Sequence, residues 1–236
     1  MGNTGDSIRA ENASWNFAGE VSQNFDTHVS KSVPLYDKGH DLVIKISDFF
    51  LKDGSTCYEL GCSTGTLTQS LVQHNKNKKI KLIAVDQEQD MVDQAKDKCK
   101  DLDGVSVVAS DIMDLELEKS DLIVAYYTMQ FIDPKNRQII FDRIFEALNW
   151  GGAFVLFEKV RGPDARFQDM MTQLYTEYKL DQGYNSEEII SKARSLKGVL
   201  EPFSTQGNID LLKRAGFSDI MTVMKYMCFE GFLAIK

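Results

Sequence analysis

From Thr56 onward the chain alternates between short apolar runs and longer stretches in which apolar residues recur every three or four positions. The runs at 56–60, 80–85, 105–109, 121–127 and 153–158 read as strands, because a strand covered on both faces is apolar almost throughout. Between them, 67–73, 89–100 and 134–148 read as helices; in the last, Ile140, Ile144, Phe145 and Leu148 keep close to a 3.6-residue period. Upstream, Trp15, Phe17, Val21, Phe25, Val29 and Val33 are spaced as one face of a helix over 15–33, expected to lie as a lid over the core. A second helix over 42–51 ends at the Lys52-Asp53-Gly54 turn. Strands alternating with helices through short connections predict an α/β protein with a doubly wound parallel sheet.

The alternation breaks at 161–198, which reads as two or three helices, including 164–180 and 186–196. A last helix over 208–214 and two strands, 220–225 and 229–235, complete seven strands with one antiparallel edge strand. The helical insert follows the fifth strand, so it stands above the carboxyl ends of the strands, where ligands bind in such sheets. It is expected to be a substrate cap over about 161–205 of a single domain, 15–236, preceded by a flexible segment, 1–14.

Composition narrows the partners. Of the 236 residues 43% are hydrophobic, enough for a substantial core, yet no apolar run approaches the roughly 20 residues of a membrane span. The start of the chain lacks the apolar segment of a secretory signal, and Asp6 stands where a myristoylation signal needs Ser or Thr. A cytoplasmic protein without a membrane partner is expected. Net charge is −8, and the one basic cluster, Lys76-Asn77-Lys78-Lys79, is short, so nucleic acid is not expected either. Four scattered cysteines and three scattered histidines show no metal-ligand spacing.

Chemistry concentrates at Cys57-Tyr58-Glu59-Leu60-Gly61-Cys62-Ser63-Thr64-Gly65-Thr66, a strand running into a glycine turn and then a helix. Glycines there let a ligand approach the backbone, and a helix N-terminus offers it free N–H groups. The next strand ends in Asp86-Gln87, and a carboxylate at that tip suits the two hydroxyls of a ribose. A dinucleotide fingerprint fails, because Ser63 and Thr66 occupy its second and third glycine positions. The pattern E-x-G-x-x-x-G, with Glu59, Gly61 and Gly65, instead resembles motif I of class I methyltransferases, which bind S-adenosylmethionine. Asp111-Ile112, after the third strand, is then placed to meet the adenine, or to cap a turn.

A narrower resemblance runs from about Trp15 to the C-terminus. Gly61-Cys62-Ser63-Thr64-Gly65, Asp111-Ile112, Thr128-Met129-Gln130-Phe131 and Leu148-Asn149-Trp150-Gly151-Gly152-Ala153 resemble the G-C-S-x-G, D-I, T-x-Q-F and L-N-P-G-G-A segments of carboxy-S-adenosylmethionine synthases. Lys31-Ser32-Val33-Pro34-Leu35-Tyr36 is similar to that family's R-S-V-P-G-Y, whose tyrosine lies against the cofactor, and Phe157-Glu158-Lys159 to its S-E-K. Gly183-Tyr184 and Lys192-Ala193-Arg194-Ser195 resemble its G-Y and Q-K-R-S, with one extra residue between them. Trp150 replaces a proline, and Tyr126 replaces an asparagine beside the reacting centre.

The resemblance implies a Rossmann-like class I methyltransferase sheet and S-adenosylmethionine as cofactor. It also implies a homodimer in which Arg194 reaches a neighbour's cofactor carboxylate, a grip that suits a guanidinium. Tyr36, Gly61, Cys62, Ser63 and Gly65, with Asp86, Gln87, Asp111, Ile112 and Tyr126, form the expected cofactor set; Arg194, Lys159 and Arg161 are candidates for an anionic substrate. Three functions stay open: methyl transfer to a small molecule, which Tyr126 favours; synthesis of carboxy-S-adenosylmethionine from S-adenosylmethionine and prephenate; and a non-catalytic cofactor-binding module. No residue is assigned as general base.

Overall fold

The computed structural model describes residues 2–236. It begins with a small hairpin of β1 (Gly2–Asn3) and β2 (Arg9–Ala10), followed by helices α1 (Glu20–Ser32) and α2 (Tyr36–Phe50). The alternating part comprises β3 (Thr56–Leu60), α3 (Thr66–His74), β4 (Lys81–Asp86), α4 (Gln89–Cys99), β5 (Val105–Ala109), β6 (Ser120–Tyr126), α5 (Pro134–Ala147) and β7 (Leu148–Lys159). The insert contributes α6 (Ala165–Asp181) and α7 (Ser186–Ser195), and α8 (Thr205–Ala215), β8 (Asp219–Tyr226) and β9 (Phe229–Ile235) close the chain. Among the described residues no helix is long and apolar enough to cross a membrane.

The seven strands lie in the order β5-β4-β3-β6-β7-β9-β8. β3 to β7 pair in parallel, and β9 pairs antiparallel with both β7 and β8. The antiparallel strand therefore lies one place inside the edge, not at it as expected. Burial explains the order: β9 is almost wholly buried, whereas β8 is mostly exposed or half-buried and suits the rim.

Alternate residues of the central strands feed two cores. Cys57, Leu82, Ala84, Val124 and Val155 meet Val43 of α2 and Leu67 and Leu71 of α3 on one face. Tyr58, Leu60, Ile83, Ala125 and Leu156 meet Ile140 and Ile144 of α5 and Leu211 of α8 on the other. Period-two alternation thus survives inside strands that read as uniformly apolar.

Two departures lie near the N-terminus. The helix expected over 15–33 starts only at Glu20, after Gly19 with φ of 61°; Trp15 and Phe17 lead into it in non-helical chain yet pack with Ile8 and Val21. Of the segment expected to be flexible, 1–14, Met1 lies outside the described residues and 2–14 is folded instead, with Ile8 and Thr4 buried. Asp6 accepts bonds from Lys31 Nζ (2.6 Å) and the Tyr184 hydroxyl and faces His28 Nδ1 (2.9 Å), and Ala13 N–H donates to Arg194 O (2.9 Å). These contacts tie the N-terminal segment to α1 and to the insert.

The insert is bounded by an isolated pairing of Arg161 with Ser204. Asp164 caps α6 by accepting from Phe167 N–H (3.1 Å), and Asn185 with Glu188 forms a capping box on α7. α6 buries none of its residues within this chain; Phe167, Met170 and Leu174 are exposed on it.

Candidate active site

Between the carboxyl ends of the parallel strands and the insert lies a cavity of about 970 Å³. That is the upper end of the range for small-molecule sites and leaves room for two ligands side by side. Of the residues singled out in the sequence, Tyr36, Gly61, Ser63, Asp86, Gln87, Asp111, Ile112, Tyr126, Lys159, Arg161 and Arg194 border it; Cys62 and Gly65 do not.

The turn after β3 is built by its own hydrogen bonds. Gly61 N–H (2.7 Å) and Cys62 N–H (2.9 Å) both donate to Val85 O, and Ser63 N–H donates to Asp86 Oδ2 (2.8 Å). The other Asp86 oxygen accepts from Glu88 N–H (3.0 Å). Burial raises the Asp86 carboxyl's pKa, against those backbone donors. A carboxylate accepts about four bonds, so this one is fixed in place with capacity left for a ligand.

The glycines have reasons other than ligand approach alone. Gly61 borders the cavity at φ of 80°, but a Cβ there would collide with the Thr128 side chain. Gly65, at φ of 78°, faces α4, where a Cβ would come 2.9 Å from Ala95 Cα; it makes room for helix packing and does not border the cavity. Cys62 is buried in the core beneath the turn, where burial pushes its thiol pKa up. The amino end of α3 is also not open to the cavity as expected. Thr64 Oγ1 donates to Asp26 Oδ1 (2.6 Å), and Lys98 holds the other Asp26 oxygen (3.0 Å).

Asp111 Oδ1 accepts from Met113 N–H (2.8 Å), so it caps its own turn while bordering the cavity. Beside Gly61, at the tip of β6, Tyr126 points inward. Its ring packs on Tyr36, His40, Tyr127 and Phe157, and its hydroxyl donates to Tyr36 O (2.6 Å). Burial drives the pKa values of Tyr36, Tyr126 and Tyr127 above the ordinary phenol range and lowers that of His40 to about 4, so all four are neutral at physiological pH.

The opposite wall is cationic. Lys159 Nζ lies 4.3 Å and Lys179 Nζ 4.6 Å from the Tyr175 ring centroid, while Lys192 lies over Trp15. All three border the cavity, and among the described residues none forms an ion pair with a carboxylate. Burial lowers all three pKa values; for Lys179, with Lys159 repelling it, the value falls to about 8. Arg161 Nε donates to Pro202 O (3.0 Å), and Arg194 is exposed at the rim of this same chain's cavity. Lys179 and Lys192 were missed as site residues, because a lysine on a polar cap helix has the same pattern as a solvated one. The signal was available in the aromatic residues, Tyr175 and Trp15, that carry them.

The chain also finds relatives. Residues 58–152 match the family described as Methyltransferase domain. The carboxy-S-adenosyl-L-methionine synthase of Staphylococcus epidermidis is 34% identical over 226 residues, covering 94% of this chain and 97% of that protein. That of Campylobacter lari is 36% identical over 221 residues, covering 93% and 94%. Among solved structures, an O-methyltransferase family protein from Burkholderia thailandensis matches with TM-score 0.65 at 14% identity, over 92% of this chain and 60% of that one. Human N-acetylserotonin methyltransferase in complex with its cofactor matches with TM-score 0.62 at 17% identity, over 92% and 55%. Those two likenesses speak for the fold alone.

The cavity fits S-adenosylmethionine by its donor set: a fixed carboxylate, Asp86, beside a tight glycine turn, with Asp111 one strand further out. With relatives this similar over nearly its whole length, this S-adenosylmethionine-dependent transferase belongs to the carboxy-S-adenosyl-L-methionine synthase family.

Proposed function

We propose that the enzyme replaces one proton of the sulfonium methyl group of S-adenosylmethionine by a carboxyl group taken from a small anionic donor, with prephenate as the expected one: the donor's ring carboxyl leaves as carbon dioxide as the ring expels its hydroxide and aromatises, the methyl carbon bonds to that carbon dioxide, and the methyl proton and the hydroxide leave as water. The observation that carries this reading is the row of Lys159, Lys179 and Lys192 along a cavity wall without a carboxylate partner. All three are half-buried; partly desolvating cations without a carboxylate partner is costly, and an anionic ligand beside them offsets that cost. A neutral methyl acceptor would leave the cost in place. The names of the relatives agree.

Bound S-adenosylmethionine supplies a methyl group made both electrophilic and acidic by the adjacent sulfonium. The chain's own part is placement. Asp86 and the turn at Gly61–Ser63 fix one end, the lysines receive the anion at the other, and cap residues such as Met171 and Tyr175 line the side away from the sheet.

Methyl transfer to a small molecule is the second reading, and Tyr126 in place of the family's asparagine is what favours it. One assay separates the two. The protein is incubated with S-adenosylmethionine and prephenate, and the nucleoside products are read by mass spectrometry. Carboxylation gives a species heavier than the cofactor by carbon dioxide, whereas methyl transfer to an added acceptor leaves S-adenosylhomocysteine. A homodimer belongs to the same proposal, supported by the exposed apolar residues of α6, and sedimentation analysis tests it. Arg194 borders the cavity of its own chain, so the proposed second subunit adds to that rim and does not have to supply it.

A further inference from the structure

We infer that residues 2–19 form a strap that closes the cavity over its ligands and has to lift, about Gly19, for them to enter and leave. The segment runs from α7 of the cap to the sheet side of the site. At the cap, β1 and β2 lie on α7, Asn3 Nδ2 donates to Glu188 Oε1 (3.1 Å) and Trp15 N–H donates to Ser195 O (3.1 Å). At the sheet side, Phe17 packs edge-on against Phe131 (4.9 Å), in the turn after β6. Gly19 N–H donates to Asp90 Oδ2 in the first turn of α4 (2.9 Å). Trp15, Phe17 and Phe131 all border the cavity between those two anchorages.

One carboxylate latches the strap. Asp6, with its side chain 8% exposed, accepts from Lys31 Nζ (2.6 Å) and from the Tyr184 hydroxyl, and His28 Nδ1 lies 2.9 Å away. Lys31 and His28 belong to α1 and Tyr184 to the insert, so a single side chain joins three parts of the fold. Burial lowers the pKa of His28 to about 4, so it meets Asp6 as a neutral imidazole and Lys31 supplies the counter-charge. Bonds to a charged acceptor are strong ones, yet all of these are lost together once Asp6 leaves its place.

The strap's backbone is strained and its pivot is free. Asp6, Ser7 and Ala13 stand at φ of 52°, 63° and 53°, the left-handed region that residues with a side chain enter at a cost. Such a segment keeps its shape only while its surroundings hold it, so releasing Asp6 also releases strain. Gly19 has φ of 61° and ψ of −123°, a conformation that suits glycine and little else. Nothing lies within 4 Å of the place its side chain would take. The glycine is therefore required by its backbone and not by packing, as a pivot requires.

Closure also completes the cationic wall. The Trp15 ring lies against the Lys192 ammonium and stacks on His28, with centroids 5.7 Å apart at 29°. Lys192 stands where the family's segment has glutamine, so the strap of this chain holds a cation that the family's segment does not have. That consequence rests on the proposed anionic donor. The strap itself does not, because it closes over any occupant of the cavity.

The test uses the cofactor alone, so it stands apart from which reaction follows. The chain has two tryptophans; Trp150, 89% exposed and away from the cavity, is replaced by phenylalanine so that fluorescence reports on Trp15, which is 6% exposed. In that background Asp6→Ala should raise acrylamide quenching of Trp15. It should also speed dissociation of S-adenosylmethionine in a chase by about tenfold, the lower end for hydrogen bonds to a charged group. A second variant locks the strap instead of freeing it. A Cβ at Gly2 would lie 3.0 Å from Ser191 Cβ, so Gly2→Cys with Ser191→Cys brings two thiols within disulfide reach after a small shift. Oxidised, that pair should slow both binding and release of the cofactor severalfold, and reductant should restore the wild-type rates. Unchanged dissociation from Asp6→Ala, or unchanged rates in the oxidised pair, would make the strap a fixed cover and overturn the inference. Should Asp6→Ala fail to fold, the disulfide pair decides alone.

Discussion

The hydroxyl of Tyr126 occupies the space that a side chain at Gly39 would need. Gly39 lies within α2, where alanine would ordinarily stabilise the helix by about 0.8–1.0 kcal/mol. Here a Cβ would collide with the Tyr126 hydroxyl and come within 3.2 Å of Phe157. Gly39→Ala is therefore expected to destabilise by about 1–3 kcal/mol, the range for overpacking a core. In a Tyr126→Asn background the same substitution should cost much less, because the hydroxyl is gone. Urea denaturation of the four proteins in a double-mutant cycle measures the coupling. A stabilising Gly39→Ala in the wild-type background would contradict the geometry.

Asp86 combines two tasks that the sequence presented as one. It borders the ligand cavity and also accepts from the Ser63 and Glu88 N–H groups. Asp86→Ala should weaken S-adenosylmethionine binding by about 1.5–3 kcal/mol, the range for hydrogen bonds to a charged group. Thermal stability should fall as well, since the substitution orphans two half-buried backbone donors. Titration calorimetry on the folded variant measures the first effect and scanning calorimetry the second. Full affinity in a destabilised protein would make Asp86 a brace for the turn alone.

The parallel strands and the turn at Gly61 were legible because hydrophobic runs and glycine spacing are local properties of the chain. What failed was long-range. Gly65 has the sequence signature of a ligand-facing glycine, yet its neighbour is Ala95, thirty positions away, and only packing reveals that. The hairpin at Gly2–Ala10 has two-residue strands, too short to leave a periodic pattern, and its anchors, His28 and Lys31 of α1 and Tyr184 of the loop between α6 and α7, are distant in sequence. β9 and β8 were read as strands correctly, but their order in the sheet follows from relative burial, which pattern alone does not rank.

Leu35 shows a departure from the family whose cost can be measured. It stands where the family's segment has glycine, and it adopts φ of 57°, ψ of 28°, the left-handed conformation at the N-cap of α2. A residue with a Cβ loses about 1–2 kcal/mol there, only part of which glycine returns through its greater freedom when unfolded. Its side chain is 45% exposed, so little burial compensates. Leu35→Gly should stabilise the fold by about 0.5–1 kcal/mol without changing cofactor affinity, as Tyr36 next to it keeps its place. Loss of stability in chemical denaturation would show that the leucine makes contacts worth more than the strain.

Lys179 gives the proposed anion-binding wall a pH dependence with a definite sign. Burial, and then repulsion by Lys159, lower its pKa from the usual lysine value to about 8. Its charge is present below that pH and lost above it, while the carboxylates of an anionic substrate stay ionised throughout. Affinity for the carboxyl donor should therefore fall as pH rises through about 8, and S-adenosylmethionine binding should change much less. A bound anion favours the charged amine, so the midpoint should move upward in the complex. Lys179→Arg keeps its charge at every accessible pH and should flatten the profile, whereas Lys179→Met should weaken donor binding already at neutral pH. The measurement is the Michaelis constant for the donor at saturating cofactor across that range. An unchanged profile in Lys179→Arg would move the titration to Lys159 or Lys192, and an unchanged constant in Lys179→Met would take Lys179 out of the binding wall.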